Sequence, residues 1–232
     1  ALAVEPQSRI LLEQVFLALA DAQPATGPLL DSRTGVYVGC MYSEYTQLQH
    51  SLGYKMSPGI VTGNGISYLV GRVSYSFGLQ GPSISTDTAC SSSLVSAHQA
   101  HMGLLGHETV AAVAAGVNTM LLPITTTSIC GLGALSPSSR CKTFDTSADG
   151  YGRGEGFGVV VLAHASSNAN SRLQQHDALG LVCGSAINQD GRSSGLTAPN
   201  GPSQTALILV ALAAGSLSSS LVSYMATHGT GV

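Results

Sequence analysis

"STDTACSSSLVSAHQA", residues 85–100, sets a single cysteine, Cys90, between small polar residues and an apolar run. The stretch "ISTDTAC" (84–90) predicts a strand closing in a tight turn, and "SSSLVSAHQAHMGLL" (91–105) predicts a helix. A strand that hands over to a helix at a thiol leaves two readings. Cys90 is a small buried residue, the usual fate of a free cysteine, or a nucleophile activated by the helix start beside it. Thr86, Asp87 and Thr88 offer capping oxygens, and Ala89 is small enough for a sharp turn. Ser91, Ser92 and Ser93 leave N–H groups of the first helical turn free to face a ligand. Such groups stabilise a thiolate, and equally the oxyanion formed when it attacks an acyl carbonyl.

Outward from this junction the same alternation continues. "SRILLEQVFLALADA" (8–22) has apolar residues at helical spacing, "TGVYVGC" (34–40) is a short β-rich run, and Ser51 to Gly71 reads as loop with a short helix. "TVAAVAAGVNTM" (109–120) predicts a buried strand, and "SPSSRCKTFDTSADGYGRGEG" (136–156) a long polar, glycine-rich loop that "FGVVVLAHA" (157–165) leaves as a strand. "ALGLVCGSAINQDG" (178–191) reads as a strand into a loop and "GPSQTALILVALAAG" (201–215) as a helix. "LVSYMATHGTGV" (221–232) reads as a strand delivering His228. Strands alternating with helices predict an α/β architecture around a buried sheet.

Composition narrows the function classes. Of the 232 residues 44% are hydrophobic and only 9% charged, with 28 glycines, which fits a packed interior with many close backbone approaches rather than a disordered chain. A net charge of −3 and no basic patch argue against nucleic acid as a partner. No apolar run reaches the roughly 18–20 residues of a membrane span. "ALAVEPQSRI" lacks the charged start and apolar centre of a signal peptide. The five cysteines, an odd number without C-x-x-C spacing, predict a reduced, cytoplasmic protein. With no initiator methionine and an abrupt end at "HGTGV", the chain reads as a piece of a longer protein.

Among the remaining candidates, His228 precedes alternating glycines that let backbone approach a ligand; by itself such a histidine is more often a turn residue. His98 and His101, three apart on one helix, have metal-ligand spacing but no nearby carboxylate, so packing is expected and no metal is assigned. "GYGRGEGFG" (150–158) has the wrong order for a nucleotide-binding loop and is expected to be a turn against which other backbone packs.

Taken in order, "GPSISTDTACSSSLVSAHQA", "AAGVNTML", "CKTFDTSADGYGRGEG", "GSAINQDGRSSGLTAPNGPSQ" and "HGTGV" resemble successive signature stretches of β-ketoacyl synthases, most nearly the ketosynthase domains of type I polyketide synthases. The resemblance implies a thiolase-like fold of five α-β-α-β-α layers, with residues 1 to about 150 forming the half that carries the nucleophile and 151–232 beginning the second half. It implies decarboxylative Claisen condensation in polyketide or fatty acid synthesis. Cys90 matches the acyl-accepting nucleophile, its own N–H one side of the oxyanion hole, and His228 the first of two active-site histidines. Thr230 matches a threonine that binds the pantetheine arm of the acyl carrier protein. Implied partners are that carrier, acyl and malonyl-type thioesters, and a second copy in a homodimer; no cofactor is expected on the domain beyond the carrier's phosphopantetheine. The chain departs from the family where Ala226 and Thr227 precede the histidine, where Val232 lacks a hydroxyl, in "VEPQSR", and at Ala163 and His164. The family's second histidine, its lysine and a glycine-phenylalanine loop would lie beyond Val232, so these residues alone are expected to aggregate and not to catalyse condensation. A rival reading is a non-catalytic module that dimerises or docks a carrier, or a decayed gene fragment; the intact Cys90 motif opposes it.

Overall fold

The alternation of β1 (Gly35–Cys40) decides how the sheet is covered. Val36, Val38 and Cys40 point to one face, where they meet Leu11, Val15 and Leu19 of α1 (Pro6–Thr26) and Leu69, Val70 and Val73 of α4 (Ile66–Phe77). Tyr37 points to the other face, with Ala100 and Leu104 of α5 (Ser92–Leu105). β3 (Ala111–Asn118) divides the same way, Ala111, Val113, Ala115 and Val117 toward α1 and α4, Ala112 and Ala114 toward α5. A strand period of two thus feeds two cores. In α1 the buried leucines and valine stand four residues apart, one stripe of a helix. This computed structural model describes residues 3–26, 33–55, 58–165, 178–196 and 198–231.

β2 (Ser83–Thr86), β1 and β3 run parallel, and β4 (Gly156–Ala163) closes the sheet antiparallel to β3, in the order β2-β1-β3-β4. The chain steps from β1 out to β2 and then back across to β3. Right-handed crossovers in opposite directions place their helices on opposite faces, α4 on one and α5 on the other. The carboxyl ends of β1, β2 and β3 therefore open on one side, the edge where α/β sheets bind ligands.

Three expectations change. The stretch 51–71 holds more helix than its glycine and serine content predicts: α2 (Tyr45–Ser51) ends in it, α3 (Pro58–Asn64) fills it, and α4 begins there. Burial of Leu69, Val70 and Val73 overrides weak local propensity. A further helix, α6 (Pro123–Gly131), starts on a proline in its first turn. Neither 178–191 nor 221–231 forms a strand. Both run without a ladder among the described residues, since β-rich composition becomes strand only where a neighbour supplies hydrogen bonds. Val232 lies outside the described residues. The 178–191 segment packs instead on α7 (Gly201–Ala214), whose N-cap Asn200 accepts from Ser203 N–H and donates to the Asp190 carbonyl. His164, just past β4, places Nε2 2.9 Å from the Leu104 carbonyl at the end of α5 and stacks on His107.

Candidate active site

The turn that carries Cys90 is built from its own side chains. Ala89 adopts φ +56, in the left-handed region that non-glycine residues rarely occupy. Its N–H donates to Asp87 Oδ1 (2.9 Å), and its carbonyl accepts from Ser92 Oγ (2.6 Å) and Ser92 N–H (3.1 Å). Ser92 Oγ in turn accepts from Thr88 N–H (2.9 Å), and Ser91 Oγ lies 2.8 Å from both oxygens of Thr88. The small polar residues around the cysteine thus lock a strained elbow that leaves the thiol exposed. This corrects one expectation: the N–H groups of Ser91 and Ser92 bond the Thr88 and Ala89 carbonyls and are not free for a ligand.

Beneath the elbow, Gly39 of β1 pairs with Gly116 of β3. A Cβ on Gly39 would stand 2.5 Å from the Ser92 carbonyl carbon, and one on Gly116 2.5 Å from Ser93 Cβ. Two facing glycines leave a shallow seat on the sheet for the first turn of α5.

A cavity of about 550 Å³ opens at the carboxyl ends of the strands, lined by Cys90, Met41, Tyr42, Asn118, Ile129, Tyr151, Arg153, Glu155, His228 and Thr230 among others. The three residues that the resemblance singles out (Cys90, His228 and Thr230) all line this one cavity. A surface dent lined by Leu12, Glu13, Phe16 and Leu17 holds no cysteine or histidine.

His228 arrives on the irregular 222–231 segment, gripped by the 136–156 loop. Thr143 Oγ1 donates to the Gly229 carbonyl (2.5 Å), and Gly150 N–H to the Gly231 carbonyl (3.1 Å). The same loop lines the cavity through Tyr151, Arg153 and Glu155, which alternate with glycines. Arg153 Nη1 donates to Thr126 Oγ1 of α6 (2.6 Å), Glu155 Oε1 accepts from Met120 N–H (2.7 Å), and Asn118 Nδ2 donates to the Gly154 carbonyl (2.6 Å). The next two N–H groups along the chain, those of Leu121 and Leu122, donate to Glu44 Oε2. Burial raises the pKa of the Tyr151 phenol; Arg153 opposes that rise, and Tyr42 and Cys90 add to it. Sequence reading treats 150–158 only as a turn and misses these side chains. The available signal is the glycine alternation, which sets residues 151, 153 and 155 in step.

His98 and His101 lie outside the cavity lining. Their Nδ1 atoms stand 2.9 and 2.8 Å from one hydroxyl, Ser185 Oγ, so they tie α5 to the 178–190 segment. Burial and then the neighbouring His101 lower the His98 pKa.

Fold and cavity together define an α/β protein with a cysteine and a histidine on one cavity at the carboxyl ends of its sheet. Comparison with known proteins agrees. The family model "Beta-ketoacyl synthase, N-terminal domain" matches residues 1–168, and "Beta-ketoacyl synthase, C-terminal domain" matches 179–232. The chain belongs to the β-ketoacyl synthase family. It is 44% identical over 231 residues to a phenolphthiocerol/phthiocerol polyketide synthase protein of Mycobacterium tuberculosis (strain ATCC 25618 / H37Rv), covering 100% of this chain and 15% of that protein. It is equally similar to polyketide synthase GfsA of Streptomyces halstedii, of which it covers 3%. Among solved structures, the ketosynthase from module 6 of the bacillaene synthase of Bacillus subtilis 168 superposes with a TM-score of 0.81 at 34% identity, covering 98% of this chain and 38% of that one. The oxazolomycin ketosynthase domain OzmH KS7 of Streptomyces albus JA3453 gives 0.84 at 33% identity, covering 99% and 39%. The chain therefore spans less than two-fifths of each of these relatives. Among the described residues no helix is long and apolar enough to cross a membrane.

Proposed function

We propose that this chain carries the acyl-accepting and extender-activating groups of a polyketide-type ketosynthase. The observation that carries the reading is the convergence of Cys90, His228 and Thr230 on one cavity at the carboxyl ends of the sheet. An acyl group moves from a carrier thioester to Cys90 Sγ, and the carrier thiol leaves with the proton. Thr230 holds the pantetheine arm of the incoming carrier, whose malonyl-type thioester then loses carbon dioxide. The electron pair left behind is an enolate, and the His228 imidazole stabilises it by donating a hydrogen bond to the thioester oxygen. The enolate carbon attacks the Cys90 thioester carbonyl, whose oxyanion is met by the Cys90 N–H, and Cys90 thiolate departs from the β-ketoacyl product. The partners are acyl carrier protein and its thioesters. Homodimerisation is supported by β2 at the sheet edge with Ile84 exposed.

Half-reactions measured on the synthase that carries this chain test the reading. Cys90→Ala is expected to abolish acylation from a carrier thioester, and His228→Ala to slow malonyl-thioester decarboxylation by about a hundred-fold while acylation persists. Decarboxylation at the wild-type rate in His228→Ala refutes it.

A further inference from the structure

We propose that Thr143 is the positioning residue for His228, an inference that rests on the role just given to that histidine. The side chain of His228 is exposed and makes no hydrogen bond among the described residues, so no hydrogen bond orients the ring itself. Its aim is set by the backbone on which it is carried. That backbone is pinned at two points just beyond it, the Gly229 carbonyl on Thr143 Oγ1 and the Gly231 carbonyl on Gly150 N–H. Both glycines are left-handed, at φ +58 and +71, and a Cβ on Gly229 would come 2.7 Å from Thr143 Cγ2. Thr143 therefore meets the segment with its methyl and its hydroxyl, one residue after the imidazole.

The loop around Thr143 is strained for this contact. Lys142 and Phe144, on either side, adopt φ +36 and +62. Residues held in sparsely populated backbone regions persist only where their surroundings over-determine them. Here the Lys142 Nζ–Asp149 Oδ2 pair (2.7 Å), the Ser136 Oγ donation to Asp149 Oδ1 (2.6 Å), and the turn closed by Asp145 N–H on the Lys142 carbonyl do so. Phe144 is 90% exposed, so burial of its ring does not account for the strain. What the two left-handed residues achieve is to turn the Thr143 side chain onto the His228 segment.

Thr143→Val keeps the shape and removes the hydroxyl, and the released Gly229 carbonyl can bond water. A misplacement of about 1 Å can cost a hundred-fold in rate, and loss of one of two pins is expected to cost about ten-fold in malonyl-thioester decarboxylation. Acylation of Cys90 is expected to stay within about two-fold, because among the described residues the elbow shares no hydrogen bond with Thr143. Thr143→Ser, which keeps the hydroxyl, is expected to decarboxylate within about two-fold of wild type. His228→Ala is assayed alongside. If His228→Ala slows decarboxylation and Thr143→Val does not, the positioning role fails alone; if His228→Ala leaves decarboxylation intact, the role of the histidine fails with it. A serine variant as slow as the valine variant, or a valine variant that also loses Cys90 acylation, makes the loop a general part of the fold and overturns the proposal.

Discussion

Alanine at Gly39 would place a methyl group on the floor of the nucleophile elbow. The added Cβ falls 2.5 Å from the Ser92 carbonyl carbon and 2.6 Å from both the Ser92 oxygen and the Ser93 nitrogen, where ordinary contact begins at 3.4 Å. All three atoms are backbone of the first turn of α5, so no side chain can swing away. Either the helix start rises by roughly 1 Å or the β1–β3 ladder bends; overpacking of this kind costs about 1–3 kcal/mol. At about 3 kcal/mol a folding unit of about 150–250 residues loses roughly 6–12 °C in melting temperature, and a larger one less, so the melts are run on the synthase that carries this chain. A 1 Å rise also carries Cys90 away from the cavity, at up to about a hundred-fold in acylation rate. Gly71→Ala is the matched control: it sits inside α4, nothing lies within 4 Å of its Cβ, and helix propensity predicts a gain of about 0.5–1 kcal/mol. Thermal melts followed by circular dichroism, with alkylation of Cys90 timed by mass spectrometry, read both effects. A Gly39→Ala protein with wild-type melting temperature and labelling rate would refute the close packing of α5 on the sheet.

Among the five thiols, Cys40 is expected to resist alkylation at neutral pH, since it is buried and its pKa is pushed up to about 12 by burial and then by Glu5. Cys90 is expected to label faster than either Cys40 or Cys141, and peptide mass spectrometry after limited exposure to iodoacetamide decides the order. The lowered pKa of His98 gives stability a pH dependence. The unfolded chain takes up a proton on this side chain first as pH falls through its ordinary 6.5, so stability present above that value declines below it. Denaturant melts at pH 7.5 and 5.5 should show the decline, and His98→Gln should reduce it; an unchanged slope in that variant removes His98 as the cause.

Features that depend on neighbours along the chain were legible before any contact was known. Val36, Val38 and Cys40 alternate, and Leu11, Val15 and Leu19 recur every fourth residue, which marks one strand and one helix. The polar residues that lock the Cys90 elbow are all within five positions of it, which is why a strand-to-helix turn could be read at that thiol. The order of the five motif stretches made the family readable as well. Contacts between distant segments are another matter. The loops of 136–156 and 222–231 meet through a hydrogen bond between residues 86 apart, and the histidines of α5 find Ser185 at separations of 87 and 84. Nothing local in either partner announces such a contact. Likewise β composition at 178–191 and 221–231 could not say whether a neighbouring strand would be there to pair with it, because a ladder is a property of two segments. Tyr151, Arg153 and Glu155 became cavity residues only when antiparallel pairing of β4 with β3 drew their loop across the carboxyl ends of the sheet.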